Sequence, residues 1–225
     1  MACFSGANIV NDGLVLHIDL ANKRTGTTIK TDLINGIILE ELNGVSNTID
    51  NLGEWVFDGV DDFIDLGISS ALNLMTNESA IAWVCPFNID SGRRARIGNR
   101  HGGFLTMADS RFGYEGQNNS GVWVNNTYTP NNTLKIDTWQ QIAYSFGAND
   151  RVDLYHNSNY ITGKETIGSI NNSTLKFVIG TENNGGWGNP PYFMGKIGIV
   201  QVYDKKLTQE EIQQNFEATR SRYSI

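Results

Sequence analysis

Trp55-Val56-Phe57-Asp58-Gly59-Val60-Asp61-Asp62-Phe63-Ile64-Asp65-Leu66-Gly67 decides the reading of this chain. Two β-type runs meet at Asp58-Gly59. Side chains alternate across a strand, so Trp55 and Phe57 share one face before the turn, and Ile64 and Leu66 share one face after it. Asp-Gly supplies the backbone freedom of a tight reversal, which predicts a hairpin. The returning run opens on the acids Asp61 and Asp62. Acids at such a place either cap the turn through its own backbone or hold a cation.

Outward from this stretch the same alternation recurs. Leu14, Leu16, Ile18 and Leu20 fall on one face of a first strand, with Val15, His17 and Asp19 on the other. Further strands are predicted through Ile81/Trp83/Cys85/Phe87, Ile142/Tyr144/Phe146, Val152/Leu154, Leu175/Phe177/Ile179 and Ile197/Ile199, each bounded by Gly, Asn, Asp or Ser. That spacing predicts two packed antiparallel sheets. The Gly- and Asn-rich segment 102–132 reads as loops and short strands lying over one sheet. Residues 1–12 lack periodicity and read as an arm that anchors on a neighbouring subunit, ahead of a domain spanning 13–225. At the other end Thr208 and Glu211 form a capping box, and Leu207 and Ile212 stand at the positions of a hydrophobic staple. A helix is predicted from about Gln209 within 208–222. It either seals the core or makes an assembly contact.

Taken in order, the segments Leu14–Asn22, Phe57–Asp62, Ala80–Val84, Trp139–Phe146, Val152–Tyr155, Tyr192–Asp204 and Leu207–Ile212 resemble the laminin-G-like, concanavalin-A-like jelly-roll family over roughly residues 13–225. The resemblance implies an all-β, two-sheet antiparallel jelly-roll sandwich with a short C-terminal helix. One departure is visible. Many relatives carry a Tyr-x-Asn-Gly turn where this chain has Tyr155-His156-Asn157-Ser158-Asn159, so a different turn is expected there.

Composition narrows the function. The 225 residues carry 24 acids against 17 bases, a formal net charge of −7. The basic cluster Arg93-Arg94-Ala95-Arg96-Ile97-Gly98-Asn99-Arg100 is short, and reads as a solvated loop or a contact to an acidic partner. Nucleic acid is therefore not an expected partner. No apolar run reaches membrane-spanning length and the first twenty residues lack the pattern of a signal peptide, so the chain is expected to fold where it is made, without membrane insertion. The Asn-x-Ser/Thr triplets read as turns rather than glycosylation sites. Cys3 and Cys85 make no disulfide framework, and Cys85 reads as a small buried hydrophobe.

Catalytic chemistry is hard to assemble. Retaining glycosidases need two carboxylates about 5 Å apart; in relatives of this fold they sit on one strand as Glu-x-Asp-x-x-Glu or Glu-x-Asp-x-Glu, and no Glu here has Asp two residues on. Phosphate-loop, dinucleotide and zinc patterns do not occur. The resemblance allows one cofactor, a structural calcium, with hard oxygen ligands at Asp19, Asp58, Asp61, Asp62 and Asp204. For recognition, aromatic rings among Asn and Gly suit sugars through stacking and amide hydrogen bonds. Asn183, Asn184, Trp187 and Tyr192 in one loop, with Trp123 and Tyr128 in another segment, are the candidate glycan-binding residues; the alternative for the loop is that Trp187 and Tyr192 pin it to the sandwich.

The tail from Thr208 to Tyr223 is similar to the ends of such domains in virion proteins of tailed bacteriophages. The resemblance thus implies a non-enzymatic phage structural protein: a capsid decoration, head fibre or tail-associated adhesin. Its expected place is the virion, after assembly in the host cytoplasm, with other virion proteins, further copies of itself and host-surface glycan as partners. A cellular carbohydrate-binding module is the second reading and a glycosidase the third.

Overall fold

The computed structural model describes residues 8–21, 30–48, 50, 53–89, 95–99, 103–118, 120–171, 175–182 and 191–225. Strands are numbered in chain order. One eight-stranded sheet runs β14 (Asn159–Glu165), β13 (Arg151–His156), β12 (Gln140–Gly147), β7 (Asn77–Pro86), β16 (Met194–Tyr203), β5 (Glu54–Asp58) and β4 (Ser46–Thr48), with β1 (Leu14–Ile18) also on β16. The second eight-stranded sheet runs β11 (Trp123–Tyr128), β10 (Arg111–Gln117), β9 (Gly103–Ala108), β8 (Ala95–Asn99), β15 (Phe177–Ile179), β6 (Phe63–Asp65), β3 (Ile38–Leu42) and β2 (Lys30–Thr31). The expected two-sheet antiparallel sandwich is what forms. The segment 102–132 supplies β9, β10 and β11 of the second sheet itself, rather than a cover over it.

The stretch 55–67 is not a hairpin. β5 pairs with β16 and β4, whereas β6 pairs with β15 and β3, so the chain changes sheets at Asp58–Asp62. The side-chain alternation is as read, and Trp55, Phe57, Ile64 and Leu66 all enter the inter-sheet core. Local periodicity specifies which face is buried, not which strand becomes the neighbour. At the other expected turn, Asn157 and Ser158 both adopt positive φ (47° and 63°) between β13 and β14, the geometry of a type I′ turn.

β7 and β16 are buried on both faces. On β7, Ala80, Ala82 and Val84 meet the second sheet, while Ile81 and Trp83 face the other way. Parity alone had put the larger residues inside the sandwich; here they meet the C-terminal helix instead. The register of β16 shifts between Ile197 and Val200, so Ile197, Val200 and Val202 face the core and Ile199 the helix side.

The helix α1 (Gln209–Thr219) starts as read: Thr208 Oγ1 accepts from Glu211 N, and the Glu211 carboxylate accepts from Thr208 N. Leu207 and Ile212 share one apolar cluster with Ile81, Ala143 and Tyr203. Phe216 and Tyr223 stack on Trp83 at ring-centroid distances of 5.6 and 4.3 Å, and the Trp83 indole N–H donates to Thr219. Burying such side chains stabilises by about 1.5–3 kcal/mol each. Residues 8–12, read as part of a free arm, lie against this helix. Val10 is buried and its N–H donates to Asn215, while Tyr203 donates to Val10 O and Gln214 to Asn8 O. The apolar pair Ile9-Val10 was too short for periodicity to reveal its docking.

Among the described residues, the inter-sheet core contains one acid. Glu78 on β7 is buried, its Oε1 makes no hydrogen bond, and neither does the Tyr114 hydroxyl. Tyr114 packs with Tyr144 and Phe146 at 4.7 and 5.1 Å. Burial pushes the Glu78 carboxyl up to about 8, and the Tyr144 hydroxyl offsets only part of this. The folded protein thus keeps this proton across the interval above 4.5 in which the unfolded chain has lost it. Stability from this group is full below that interval and falls as pH rises toward 8. Glu78→Gln should remove the loss. The melting temperature of the variant relative to wild type is expected to rise between pH 5 and 8.5, on the order of 5–10 °C. A difference that stays constant across that range would mean Glu78 is not protonated in the fold.

Candidate functional site

The outer face of the second sheet gathers the polar and aromatic groups that the core rejects. On β8, Ile97 points into the core and Arg96 to the outer face, opposite Thr106 of β9, which in turn stands opposite Gly113 of β10. Arg96 is only 2 % exposed. Its guanidinium pairs with Glu182 and, at 3.6 Å, with Glu115. The Arg93–Arg100 cluster read as a solvated loop or an external contact therefore places Arg96 in an internal ion network. Its partners lie 19 and 86 residues away, where local charge pattern cannot show them.

Gly113 organises the next layer. A Cβ there would lie 2.3 Å from the Thr127 carbonyl oxygen and 2.5 Å from the Tyr128 ring. Without one, Tyr128 of the edge strand β11 lies across β10. Its hydroxyl donates to Glu115, and the Arg111 guanidinium sits over its ring, 4.7 Å from the centroid. Trp123, at the start of the same edge strand, has Arg96 5.8 Å from its ring centroid and remains 40 % exposed. The candidates Trp123 and Tyr128 thus share one face, tied together through Glu115 and Arg96. Arg96 stands in the basic cluster noted above, whereas Arg111, Gly113, Glu115 and Glu182 carry no local signal of their role, because strand register sets the contacts that join them.

Glu182 also links this face to the loop. Thr181 and Tyr192 form a bridge across the loop base, and Glu182 N donates to Pro191 O. Tyr192 is half-buried, with its ring 6.4 Å from that of Phe63. It also lines an open, largely apolar cleft of about 300 Å³ with Pro86, Ile89, Met107, Phe193 and Met194. Asn183, Asn184 and Trp187 lie outside the described residues.

The five acids read as a calcium set do not meet. Asp58, Asp61 and Asp62 offer carboxylate oxygens within 4.8 Å of one another. Asp58 stands opposite Met194 at the start of β16, whereas Asp204 follows Tyr203 at its far end. Ten strand residues separate these ends by about 30 Å. Asp19 accepts Arg222 Nη1 on both oxygens at 2.9 Å, an internal ion pair. Within the cluster, Asp58 Oδ1 accepts from Val60 N at 2.7 Å and Asp62 Oδ2 from Asp58 N at 2.9 Å, so the capping role is real. Asp62 Oδ1, however, is buried and makes no hydrogen bond. Burial raises the Asp62 pKa, and Asp58 and Asp61 add to the rise by like-charge repulsion. A hard cation would relieve both costs, so these three acids fit one.

Comparison with known proteins matches residues 58–213 to the family model described as the concanavalin A-like lectin/glucanases superfamily. No curated protein sequence matches the chain. Among solved structures, the binding domain of Paraclostridial mosquitocidal protein 1 is similar, with a TM-score of 0.69 at 15 % identity over 91 % of this chain and 52 % of that one. The botulinum neurotoxin serotype D ligand-binding domain in complex with N-acetylneuraminic acid gives 0.70 at 14 %, over 92 % and 51 %. The serotype G binding domain gives 0.67 at 13 %, over 90 % and 50 %. The chain spans about half the length of these structures, and at such identities the likeness is one of fold.

The packing of Tyr128 over Gly113 can be checked directly. Gly113→Ala should destabilise the protein by about 1–3 kcal/mol, because the methyl meets backbone and ring that cannot both move aside. Urea unfolding measures this, and a neutral substitution would mean the ring lies elsewhere.

Proposed function

Because the chain belongs to the concanavalin A-like lectin/glucanase superfamily, we propose that it is a non-catalytic binding domain that takes oligosaccharide on the outer face of its second sheet. The observation that carries this reading is the partly exposed indole of Trp123, set over Arg96 on a strand at the sheet edge. An exposed ring among polar side chains suits the apolar face of a sugar. The receptor- and ligand-binding domains that share the fold support a binding role, one of them through its N-acetylneuraminic acid complex. Against catalysis, Glu115 and Glu182, the carboxylates brought together on this face, are both engaged by Arg96. A retaining or inverting pair instead needs one acid free to protonate and one free to attack or to activate water.

The setting we propose is a tailed-phage virion, with host-surface glycan as ligand and other virion proteins or further copies of the chain as neighbours. It rests on the likeness of the segment Thr208–Tyr223 to virion domains. Docking of residues 8–12 on α1 leaves only residues 1–7, outside the described set, for the anchoring role first given to the whole arm. A cellular carbohydrate-binding module would use the same face. The neighbouring genes separate the two readings, since a virion gene lies among capsid and tail genes.

We further propose that calcium, if resident, is held by Asp58, Asp61 and Asp62, where it neutralises the like charges and locks the crossing from β5 to β6. Excess calcium should raise the melting temperature relative to chelator through binding to the native state alone, and Asp62→Asn should remove the difference. Identical melting curves in calcium and chelator would eliminate the site.

For recognition, Trp123→Ala should abolish binding on a panel of host-surface oligosaccharides while changing the melting temperature little, because the ring stands largely outside the core. Unaltered glycan binding by a folded Trp123→Ala protein would remove this face from consideration.

A further inference from the structure

Among the described residues, the outer face holds one arginine with no counter-charge. Among the described arginines, Arg96 pairs with Glu115 and Glu182, Arg151 with Asp153, Arg220 with Glu217 and Arg222 with Asp19. Arg111 has no carboxylate within 4.0 Å, and its buried Nε makes no hydrogen bond. This occurs in a chain whose formal charge is −7, where acids outnumber bases. Glu115, four residues along the same face of β10, is taken up by the Tyr128 hydroxyl and by Arg96.

The geometry also prepares Arg111. Its guanidinium is held over the Tyr128 ring, which is itself fixed over Gly113 and at its hydroxyl. Stacking of this kind fixes the plane of the fork, so less freedom is lost when a ligand arrives. A planar, always-charged fork matches a carboxylate through paired hydrogen bonds. Trp123 stands opposite Gln117, six residues beyond Arg111 on β10, or about 20 Å along the strand. A ligand that reaches both is longer than a single sugar ring.

We propose that Arg111 recognises the carboxylate of an acidic sugar, and that the face is selective for oligosaccharides carrying sialic or uronic acid over their neutral counterparts. This rests on the oligosaccharide reading above and names its ligand class. The orphaned cation is the specificity element, and Trp123 supplies stacking that neutral and acidic sugars share.

The test measures binding of the full chain to matched oligosaccharides: an acidic glycan, its carboxyl methyl ester, its neutral parent and a sulfated analogue. Wild type is expected to bind the acid at least about tenfold more tightly than the ester or the parent, the scale of one charge-assisted hydrogen-bonded contact. Arg111→Gln should lose that preference while keeping its residual affinity for the parent, and Arg111→Lys should keep only part of it. Lys164→Gln, the same charge change on exposed β14 of the other sheet, should bind as wild type does, which separates a local contact from overall charge. Melting temperature checks that each variant is folded. Equal binding of acid, ester and parent, a preference that survives Arg111→Gln or is lost in Lys164→Gln, or tighter binding of the sulfated analogue would overturn the acidic-sugar inference while leaving the oligosaccharide reading intact. Absence of binding to every glycan would instead defeat that reading, and this inference with it.

Discussion

The antiparallel pairing of Asn77–Pro86 with Met194–Tyr203 organises both sheets and seats the C-terminal helix. These two ten-residue strands lie at the centre of one sheet and are covered on both faces. Their inner faces meet the second sheet, and their outer faces carry α1 and the aromatic stack around Trp83. The free edge of β16 is divided between β5 and β1, placed end to end with the register shift between Ile197 and Val200 separating them. Gly198 belongs to this arrangement. A Cβ there would lie 2.1 Å from the Tyr223 hydroxyl, which accepts the Ile199 N–H. The closing segment is thus keyed into the sheet at a residue without a side chain.

That central pair also fixes where the candidate chemistry collects. The start of β16 lies beside Asp58, and Tyr192 precedes it by two residues, so the acid cluster, the cleft and the Thr181–Tyr192 bridge share one end of the sandwich. Glu182, next to this bridge, pairs with Arg96, which joins that end to the outer face of the second sheet. A long-range ion pair of this kind costs desolvation, and its value lies in holding two segments in one geometry rather than in net stability. The same applies to Glu115, which serves both Arg96 and the Tyr128 hydroxyl.

Two buried features run against simple patterning. Glu78 occupies a strand position whose neighbours Ala80, Ala82 and Val84 are apolar core, and it is accommodated as a neutral acid between tyrosines. Gly113, a poor strand former, sits inside β10 because an aromatic side chain from the next strand covers it. Each departs from local preference, and in each the compensating group comes from a different strand.

The class of fold, the faces of most strands and the start of the helix are legible in the order of the residues. Alternation of period two marks Trp55/Phe57 and Ile64/Leu66 as core, and a capping box with its staple is complete within six residues, Leu207 to Ile212. These signals are local, so they survive without knowledge of neighbours. Long-range contacts, in contrast, send the 58–62 turn across between sheets, turn Ile81 and Trp83 toward the helix, and dock residues 8–12 on it. The same contacts set the membership of the sites. Asp58, Asp61 and Asp62 come together because they share one turn, while Asp19 and Asp204 are carried away by the length of β16 and the pull of Arg222. Arg96, Glu115 and Glu182, in contrast, are distant in the chain and adjacent in space, because antiparallel pairing sets side chains opposite one another by register, and register depends on contacts that no single segment contains.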